Sequence, residues 1–405
     1  MIRRPPTILQ IIPRLDTGGA ELSAIEITEA IVRGGGRAMV ATEGGRLADR
    51  ITASGGTLVP FPASTKNPLR MIANAAKLSR LVAEQSIDVL HARSRAPAWS
   101  ALITARRSKI PFVTTYHGAY GEKSAFKRLY NSVMVRADRV IANSGFTRDL
   151  ILDRYGTDPS RVTVIHRGVD LAAFDPAKIA PARLDDLRRQ WGIPDQRPVI
   201  LQAARLTGWK GQRITIEAVA RLQTQGRLGP IALVLAGDAQ GRDGYAYDLR
   251  RLAQAQGLDG IVYFVGHVSD MVAAFRLAQV TVIASIEAEA FGRTATEAQA
   301  MGCPVIATDI GAPRETVIPF AAGAENTATG WLVPPADPES LAARLADALN
   351  LSPAMRDQMG ARARRNVEAR FTLDAMKLAT LAVYDSLLGS DLANRFTAAT
   401  ERRCS

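Results

Sequence analysis

Short apolar runs alternate with amphipathic helical patterns along the whole chain, and no other feature of the sequence constrains the fold as strongly. Such alternation is typical of mostly parallel sheets with helices on both faces. In the first half, the predicted strands are residues 7–12, 37–42, 57–61, 89–91, 112–116, 139–142 and 162–165. In the second half, they are residues 199–203, 232–236, 262–265, 280–284, 305–307 and 331–333. The sequence therefore predicts an α/β fold in which two doubly wound architectures stand in tandem.

The alternation breaks over residues 174–198, which are rich in charge and contain four of the 21 prolines of the chain. This composition is typical of a connection between domains, so we expect a linker with one short helix here. The predicted domains are residues 1–174 and 175–372. Helices are predicted near residues 339–349, 353–371 and 373–388, and about the last 12 residues are expected to fray, as chain ends commonly do.

Composition excludes several classes of protein. Hydrophobic residues make up 47% of the 405 residues and charged residues 22%, so the chain is neither disordered nor of low complexity. The two cysteines exclude a disulfide scaffold and a Cys-rich zinc site, and Cys303 is expected to be a small buried residue in a reducing, cytoplasmic protein. No apolar run approaches the length of a membrane-spanning helix. The net charge of +12 favours an anionic partner, which could be a nucleic acid, a membrane surface or a small substrate.

Two basic residues follow the first predicted strand of the second half. Arg205 and Lys210 flank a turn that ends at Gly211, and such a pair can hold a diphosphate. Two solvated surface charges are the alternative. Gly237 follows the next strand, where a glycine often marks a close approach of the backbone to a ligand.

The segment around Glu289 and Glu297 is the most informative motif. Glu289 lies in a loop after a strand, and Glu297 lies about one turn into a helix predicted over residues 293–301. Carboxylates accept hydrogen bonds from sugar hydroxyls, and a helix N-terminus attracts phosphate. The backbone N–H groups of Phe291, Gly292 and Arg293 lie at that N-terminus. This combination suits a nucleotide sugar.

The first half contributes weaker signals. Gly18 and Gly19 precede a predicted helix, an arrangement that fits either a plain tight turn or a phosphate site. His117 follows a predicted strand, where it is either a ligand-facing residue or a structural histidine. The four histidines lack metal-ligand spacing and there is no D-x-D motif, so no metal is expected.

Taken together and in order, these motifs resemble the retaining glycosyltransferases of the GT-B fold, in the large family-4 group that includes bacterial lipopolysaccharide, polysaccharide and glycolipid glycosyltransferases. The matching segments are residues 18–21, 114–118, 140–144, 166–170, 205–211, 236–238, 289–304 and 330–334. The resemblance implies two Rossmann-like doubly wound domains that face each other across a cleft. The N-terminal domain would bind the acceptor and the C-terminal domain the nucleotide-sugar donor. The helix at residues 373–390 would pack back on the N-terminal domain.

The resemblance also implies roles for single residues. The implied catalytic residues are His117, near the anomeric centre of the donor sugar, Arg205 and Lys210, on the diphosphate, and Glu289, on the sugar hydroxyls. The implied donor-binding residues are Gly19, Gly237, His267, Val268, Phe291, Gly292, Arg293 and Glu297, with His267 and Val268 beside the base and Glu297 on the ribose. No cofactor and no metal are implied. One position departs from the family pattern, because Arg167 stands where an asparagine is frequent.

The implied function is sugar transfer from a UDP- or GDP-linked donor to a hydroxyl of a glycan or lipid-linked acceptor, in lipopolysaccharide or other cell-envelope glycoconjugate synthesis. Residues 123–136 mix cations with Phe126, Leu129 and Tyr130. This stretch is either an ordinary half-buried helix or a contact with anionic lipid of the inner leaflet, which would make the enzyme peripheral on the cytoplasmic face of the inner membrane. A nucleotide-sugar epimerase of the same fold is the alternative enzyme. A nucleic-acid-binding protein is disfavoured because no recognition module is visible.

Overall fold

The computed structural model describes residues 4–16, 18–122, 124–194, 196–321, 323 and 326–404. Lys123, which belongs to the basic stretch of residues 123–136, lies outside the described residues, as does Thr17 directly before the Gly18–Gly19 pair. The chain divides into two compact units. The first comprises Met1–Arg167 with Asp374–Ser405, and the second comprises Gly168–Leu373.

The described part of the first unit contains a seven-stranded parallel sheet in the order β3-β2-β1-β4-β5-β6-β7. Its strands are β1 (Thr7–Ile11), β2 (Arg37–Thr42), β3 (Thr57–Pro60), β4 (Val89–Ala92), β5 (Phe112–Tyr116), β6 (Arg139–Ala142) and β7 (Val162–Val164). The helices between them are α1 (Gly19–Arg33), α2 (Ala48–Ala53), α3 (Pro68–Gln85), α4 (Arg95–Ser108), α5 (Ala125–Asn131) and α6 (Gly145–Tyr155). The central strands are buried along their whole length, as expected for a parallel sheet that is covered by helices.

The second unit repeats this architecture. Its described residues form a six-stranded parallel sheet in the order β10-β9-β8-β11-β12-β13. The strands are β8 (Val199–Ala203), β9 (Ala232–Ala236), β10 (Val262–Gly266), β11 (Val280–Ile283), β12 (Val305–Thr308) and β13 (Gly330–Val333). The helices are α7 (Pro181–Trp191), α8 (Gln212–Thr224), α9 (Asp243–Ala255), α10 (Met271–Leu277), α11 (Arg293–Ala300), α12 (Pro313–Thr316), α13 (Pro338–Leu349) and α14 (Pro353–Arg370).

The proline-rich segment expected to be a linker belongs to the core of the second unit. Leu187 and Trp191 of α7 are buried together with Phe275 of α10. Arg183 of α7 also forms an ion pair of 2.7 Å with Asp270. The apolar face of α7 therefore has a partner that local composition did not reveal.

Two helices end the chain, α15 (Leu373–Leu388) and α16 (Leu392–Cys404). In the first unit, the hydroxyl of Tyr384 on α15 lies 2.6 Å from Nδ1 of His91 on β4. The expectation that the last residues fray is wrong. Phe396 of α16 is 1% exposed, and the guanidinium of Arg33 lies 4.7 Å from its ring. Burial of this ring orders the terminal helix.

Each sheet has a point at which the strand order reverses, between β1 and β4 in the first unit and between β8 and β11 in the second. Ligands of doubly wound folds bind outside the carboxyl ends of the strands beside such a point. Within the residues that the structure describes, no helix is both long and apolar enough to cross a lipid bilayer.

Candidate functional site

In the second unit, an ion pair forms at the reversal point of the sheet. Lys210 follows β8 and Glu289 follows β11, and Nζ of Lys210 lies 2.6 Å from Oε1 of Glu289. Both side chains are largely buried. The ammonium group also lies 4.2 Å from the centre of the Trp209 ring, within the range of a cation–π contact. The fold thus joins two of the predicted site residues that are far apart in the sequence.

Two glycines allow the loops of this edge to pack closely. A Cβ at Gly211 would lie 1.8 Å from the carbonyl oxygen of Ala284, and the φ of Gly211 is +70°. A Cβ at Gly237 would lie 1.9 Å from the carbonyl oxygen of Ala204. Any side chain at these positions would displace the loop that carries Lys210 or the loop that follows β9. These glycines therefore set the close approach of the loops to one another.

Glu289 is fixed by its own loop. Oγ of Ser285 donates a hydrogen bond of 2.5 Å to Oε1 of Glu289, the same oxygen that faces Lys210. The backbone N–H of Ala312 donates to the carbonyl oxygen of Glu289 at 3.0 Å, and Glu289 bridges to Gly311. The carboxylate thereby accepts two hydrogen bonds on one oxygen and keeps acceptor sites on the other.

The helix α11 begins directly after Gly292, whose φ is +79°. The ring of Phe291 is buried against Phe371 with a centroid separation of 5.8 Å, so the side chain of Phe291 serves packing and only its backbone can serve a ligand. Arg293 and Glu297 lie one turn apart on α11 with Nε and Oε1 3.5 Å apart. Arg293 also donates to the carbonyl oxygen of Gly168 at 3.2 Å.

Arg205 lies apart from the Lys210–Glu289 pair. Its side chain is exposed and lies 3.4 Å from Oε1 of Gln240. Gln240 is held by Asp238, whose Oδ1 accepts from the backbone N–H of Gln240 at 2.9 Å. The carboxylate of Asp238 therefore stabilises a turn. Arg205 is therefore an exposed cation after β8 and not a member of the buried pair.

His267 and Val268 follow the edge strand β10. Both line a cavity of about 540 Å³, together with Trp191, Arg250 and Tyr263. His267 is exposed. The structure thus gives these two predicted residues an open, partly aromatic pocket on the second unit.

In the first unit, α1 begins at Gly19, and His117 follows β5. Nδ1 of His117 lies 2.5 Å from the guanidinium of Arg167, and Arg167 also donates to Oγ of Ser23 on α1 at 2.8 Å. Burial, followed by the charges of Arg167 and Arg93, lowers the pKa of His117 well below its usual value. His117 is therefore neutral at physiological pH.

Sequence reasoning missed the polar residues beneath His117. Arg93 follows β4 and is buried, and it donates to Oε1 of Gln10 at 2.6 Å. Burial lowers the pKa of Arg93 to about 10. His91 is fully buried between the hydroxyls of Tyr384 and Thr115, so it is a structural histidine. Ser285 in the second unit was missed as well. The only signal that could have indicated these residues in the sequence is their position at or just after the end of a predicted strand.

Cys303 is buried, and burial raises the pKa of its thiol to about 12. This confirms the expectation of a structural cysteine, because a thiolate nucleophile needs a lowered pKa. Among the residues that the structure describes, no group of three or more His, Cys, Asp or Glu side chains could hold a metal ion.

Two doubly wound parallel units, each with polar residues at the carboxyl edge of its sheet, form the architecture of a GT-B glycosyltransferase. Residues 17–173 match the family model described as Glycosyltransferase Family 4, and residues 184–366 match the model described as Glycosyl transferases group 1. The D-inositol 3-phosphate glycosyltransferase of Kineococcus radiotolerans is 32% identical over 331 residues, which are 77% of this chain and 74% of the relative. The chain belongs to the family-4 glycosyltransferases.

Solved structures agree with this assignment. A glycosyltransferase from Rickettsia africae has a TM-score of 0.86 at 30% identity and covers 96% of this chain and 100% of its own. Anabaena HepE in complex with UDP-glucose has a TM-score of 0.81 at 25% identity and covers 94% of this chain and 100% of its own. The predicted pair of Rossmann-like units and the predicted transferase activity are confirmed.

Proposed function

We propose that this enzyme transfers a sugar from a UDP-sugar to an acceptor hydroxyl with retention of the anomeric configuration. The Lys210–Glu289 pair carries the proposal, because it places a largely buried cation and an oriented carboxylate at the reversal point of the second sheet. A buried cation stabilises the charge of a departing diphosphate more strongly than an exposed one. A carboxylate with a free oxygen accepts hydrogen bonds from sugar hydroxyls.

In the proposed reaction, four residues either stabilise the leaving group or orient the donor. The bond between the anomeric carbon and the diphosphate oxygen breaks while Lys210, assisted by Arg205, stabilises the charge on the departing group. The acceptor oxygen attacks from the face that the diphosphate leaves, and its proton passes to the diphosphate. Glu289 orients the sugar and Glu297 the ribose, so positioning and electrostatics supply most of the rate acceleration.

The choice of UDP is supported by the solved complex of HepE with UDP-glucose. A thermal-shift screen against UDP, GDP, ADP and their sugar conjugates tests it, because a ligand that binds the folded state raises its melting temperature. We expect the largest shift with UDP ligands and its loss in Glu297→Ala, while Glu339→Ala, at an exposed position of α13, keeps it. A larger shift with GDP ligands would contradict the choice of base.

Retention and metal independence need separate measurements. With an α-linked UDP-sugar, NMR of the product should show an α-glycosidic bond, and a β-linked product would overturn retention.

Turnover should continue in EDTA, and a complete loss that Mg²⁺ restores would overturn metal independence. Turnover of the nucleotide sugar without any acceptor would favour the epimerase alternative.

For the acceptor, we favour a lipid-linked hydroxyl at an anionic membrane surface. The first unit exposes Leu69 and Ile72 on α3 and Phe126 and Leu129 on α5, with Leu69 76% and Phe126 79% exposed. Large side chains this exposed usually have a partner when they cluster. Neighbouring residues of α4 hold both helices, because Ser100 donates to Met71 of α3 and Trp99 to Tyr130 of α5.

The charges around these apolar residues have one sign. The exposed cations on the two helices and just before them are Lys66, Arg70, Lys77, Arg80, Lys127 and Arg128. Residues 62–83 and 124–137 contain no Asp or Glu. Cations beside apolar side chains bind anionic lipid headgroups while the apolar groups enter the interface. The proposed site of action is therefore the cytoplasmic face of the inner membrane.

Vesicle binding tests this surface. The protein should sediment with vesicles that contain phosphatidylglycerol and stay in solution with pure phosphatidylcholine. The double variant Leu69→Glu, Phe126→Glu should lose binding, whereas Tyr247→Glu, at an exposed apolar position of the second unit, should keep it. Equal binding of the double variant and the unchanged protein would reject the lipid surface.

A phosphorylated cyclitol is the second candidate acceptor. The observation that favours it is the sequence similarity to the relative from Kineococcus radiotolerans, which is named a D-inositol 3-phosphate glycosyltransferase. An assay with UDP-sugar and D-inositol 3-phosphate in the absence of lipid distinguishes the two. Rapid transfer to that acceptor would replace the lipid-linked acceptor in the proposal.

A further inference from the structure

Arg167, the residue that departs from the family pattern, is buried at the end of the first unit. It is only 6% exposed and lies three residues after β7. Its guanidinium donates to Oγ of Ser23 on α1 and to Nδ1 of His117 after β5. One side chain therefore joins three elements of the sheet edge at which His117 lies.

The chemistry of this contact decides which nitrogen of His117 carries the proton. A guanidinium has hydrogen-bond donors and no acceptor. Nδ1 of His117 must therefore accept, so the hydrogen of the neutral ring is on Nε2. Nε2 is buried and has no hydrogen-bond partner among the residues that the structure describes. His117 thus presents an N–H donor, which can bond an oxygen atom of a ligand.

The charged groups around His117 keep the ring in this state. Arg167 reaches it from the end of β7 and Arg93 acts on it from the end of β4, whereas burial keeps His91 on β4 neutral. On the neighbouring elements, Glu26 of α1 and Tyr384 of α15 act on Arg93. The nearest charges on His117 are therefore positive, and a second proton on the ring would be repelled.

We propose that Arg167 is a positioning residue that fixes His117 as the neutral Nε2–H form, so that His117 serves the reaction as a hydrogen-bond donor and never as a general base. The oxygen that receives this hydrogen bond is a hydroxyl of the donor sugar. That identification rests on the proposed function, whereas the tautomer of His117 rests on the first unit alone.

NMR on the full-length protein labelled with ¹⁵N-histidine tests the tautomer without any assay of activity. His117→Gln identifies the signals of His117. We expect a neutral Nε2–H ring that stays unchanged between about pH 8 and pH 6. Arg167→Met removes the donor and the charge, so the ring should begin to titrate in this range or shift toward the Nδ1–H form. Arg167→Lys keeps a charged donor and should restore the original signals.

Ser23→Ala serves as the matched control, because it removes the hydrogen bond from Arg167 to Ser23 and leaves the bond to His117. Its His117 signals should match those of the unchanged protein. In steady-state kinetics, Arg167→Met should lower kcat by roughly 10²-fold or less, the range for loss of one oriented donor, with a smaller change in KM. His117→Gln, which keeps an N–H donor near the position of Nε2, should retain more activity than His117→Phe.

An Nδ1–H ring in the unchanged protein would overturn the inference, and so would identical His117 signals in Arg167→Met. If Arg167→Met does not fold, the tautomer in the unchanged protein and in Arg167→Lys still decides. The protein could show the predicted NMR signals and yet transfer no sugar from any nucleotide sugar. That outcome would overturn the proposed function but not the role of Arg167 in fixing the tautomer of His117.

Discussion

At the level of single side chains, the two predicted cations of the donor loop differ in their surroundings. Lys210 is largely buried against Glu289 and Trp209, whereas Arg205 is exposed beside Gln240. An exposed cation is screened by water and salt, so its contribution to binding an anion is small. We therefore assign most of the diphosphate stabilisation to Lys210.

Lys210→Ala should lower kcat/KM for the donor by roughly 10²-fold, because it removes the buried cation and leaves Glu289 without its charged partner. Steady-state kinetics with the nucleotide sugar found in the thermal-shift screen measures this. Lys178→Ala is the matched control, since Lys178 is a lysine of the same unit with a side chain that is 63% exposed. Activity of Lys210→Ala close to that of Lys178→Ala would contradict the assignment.

At the level of elements, the turn between β8 and α8 is set by a contact that only glycine permits. Gly211→Ala would place a methyl group 1.8 Å from the carbonyl oxygen of Ala284 at a φ of +70°. We expect a loss of about 2–4 kcal/mol in the free energy of unfolding, from left-handed strain and displacement of the loop.

Urea denaturation of the two glycine variants measures this effect. Gly208→Ala lies in the same turn and its methyl group would meet no atom within 4 Å, so it should change stability by less than about 0.5 kcal/mol. Similar stabilities of Gly211→Ala and Gly208→Ala would show that the turn can relax at low cost.

The terminal helix α16 gives a second prediction about elements. Phe396→Ala should destabilise the first unit by about 3 kcal/mol, because it removes a ring that is 1% exposed and leaves a cavity beside Arg33. Phe126→Ala should change stability by less than about 0.5 kcal/mol, because that ring is 79% exposed. Thermal or urea denaturation compares the two. A small effect of Phe396→Ala would mean that α16 does not support the unit.

Over the whole molecule, two buried histidines make stability depend on pH. Burial is the largest cause that lowers the pKa of both His91 and His117 well below 6.5. Below about pH 6.5 the unfolded chain therefore binds protons at these positions that the folded unit does not bind. Stability contributed by the neutral rings is present above this pH and decreases as the pH falls, by up to about 1.4 kcal/mol per pH unit for each histidine.

We expect the free energy of unfolding of the first unit to fall by about 2 kcal/mol between pH 6.5 and pH 5.5. Urea denaturation at both values measures it. His91→Gln should flatten the dependence, and His267→Gln, at an exposed position, should leave it unchanged. The same slope in His91→Gln and the unchanged protein would show that His91 does not contribute.

Much of the fold could be predicted because the patterns that indicate strands and helices are formed by residues close together in the sequence. The alternation of strands and helices predicted residues 112–116 and 199–203 as strands, and these are the bounds of β5 and β8. The packing of the terminal helix α16 could not be predicted, because the contact between Phe396 and Arg33 joins residues that are hundreds of positions apart in the sequence. The same holds for α7, whose buried residues belong to one cluster with residues of α10 and of the second sheet.

The sequence by itself determined the fold class, the tandem arrangement and the family, because strand and helix periodicity and motif order are properties of neighbouring residues. It also indicated Lys210, Glu289 and His117 as candidates. Only the tertiary structure decided that Lys210 meets Glu289, that Phe291 is a packing residue and that Arg167 bonds His117. The Arg167–His117 and Lys210–Glu289 contacts join residues 50 and 79 positions apart, and they form because parallel strands bring their carboxyl ends to one edge of a sheet.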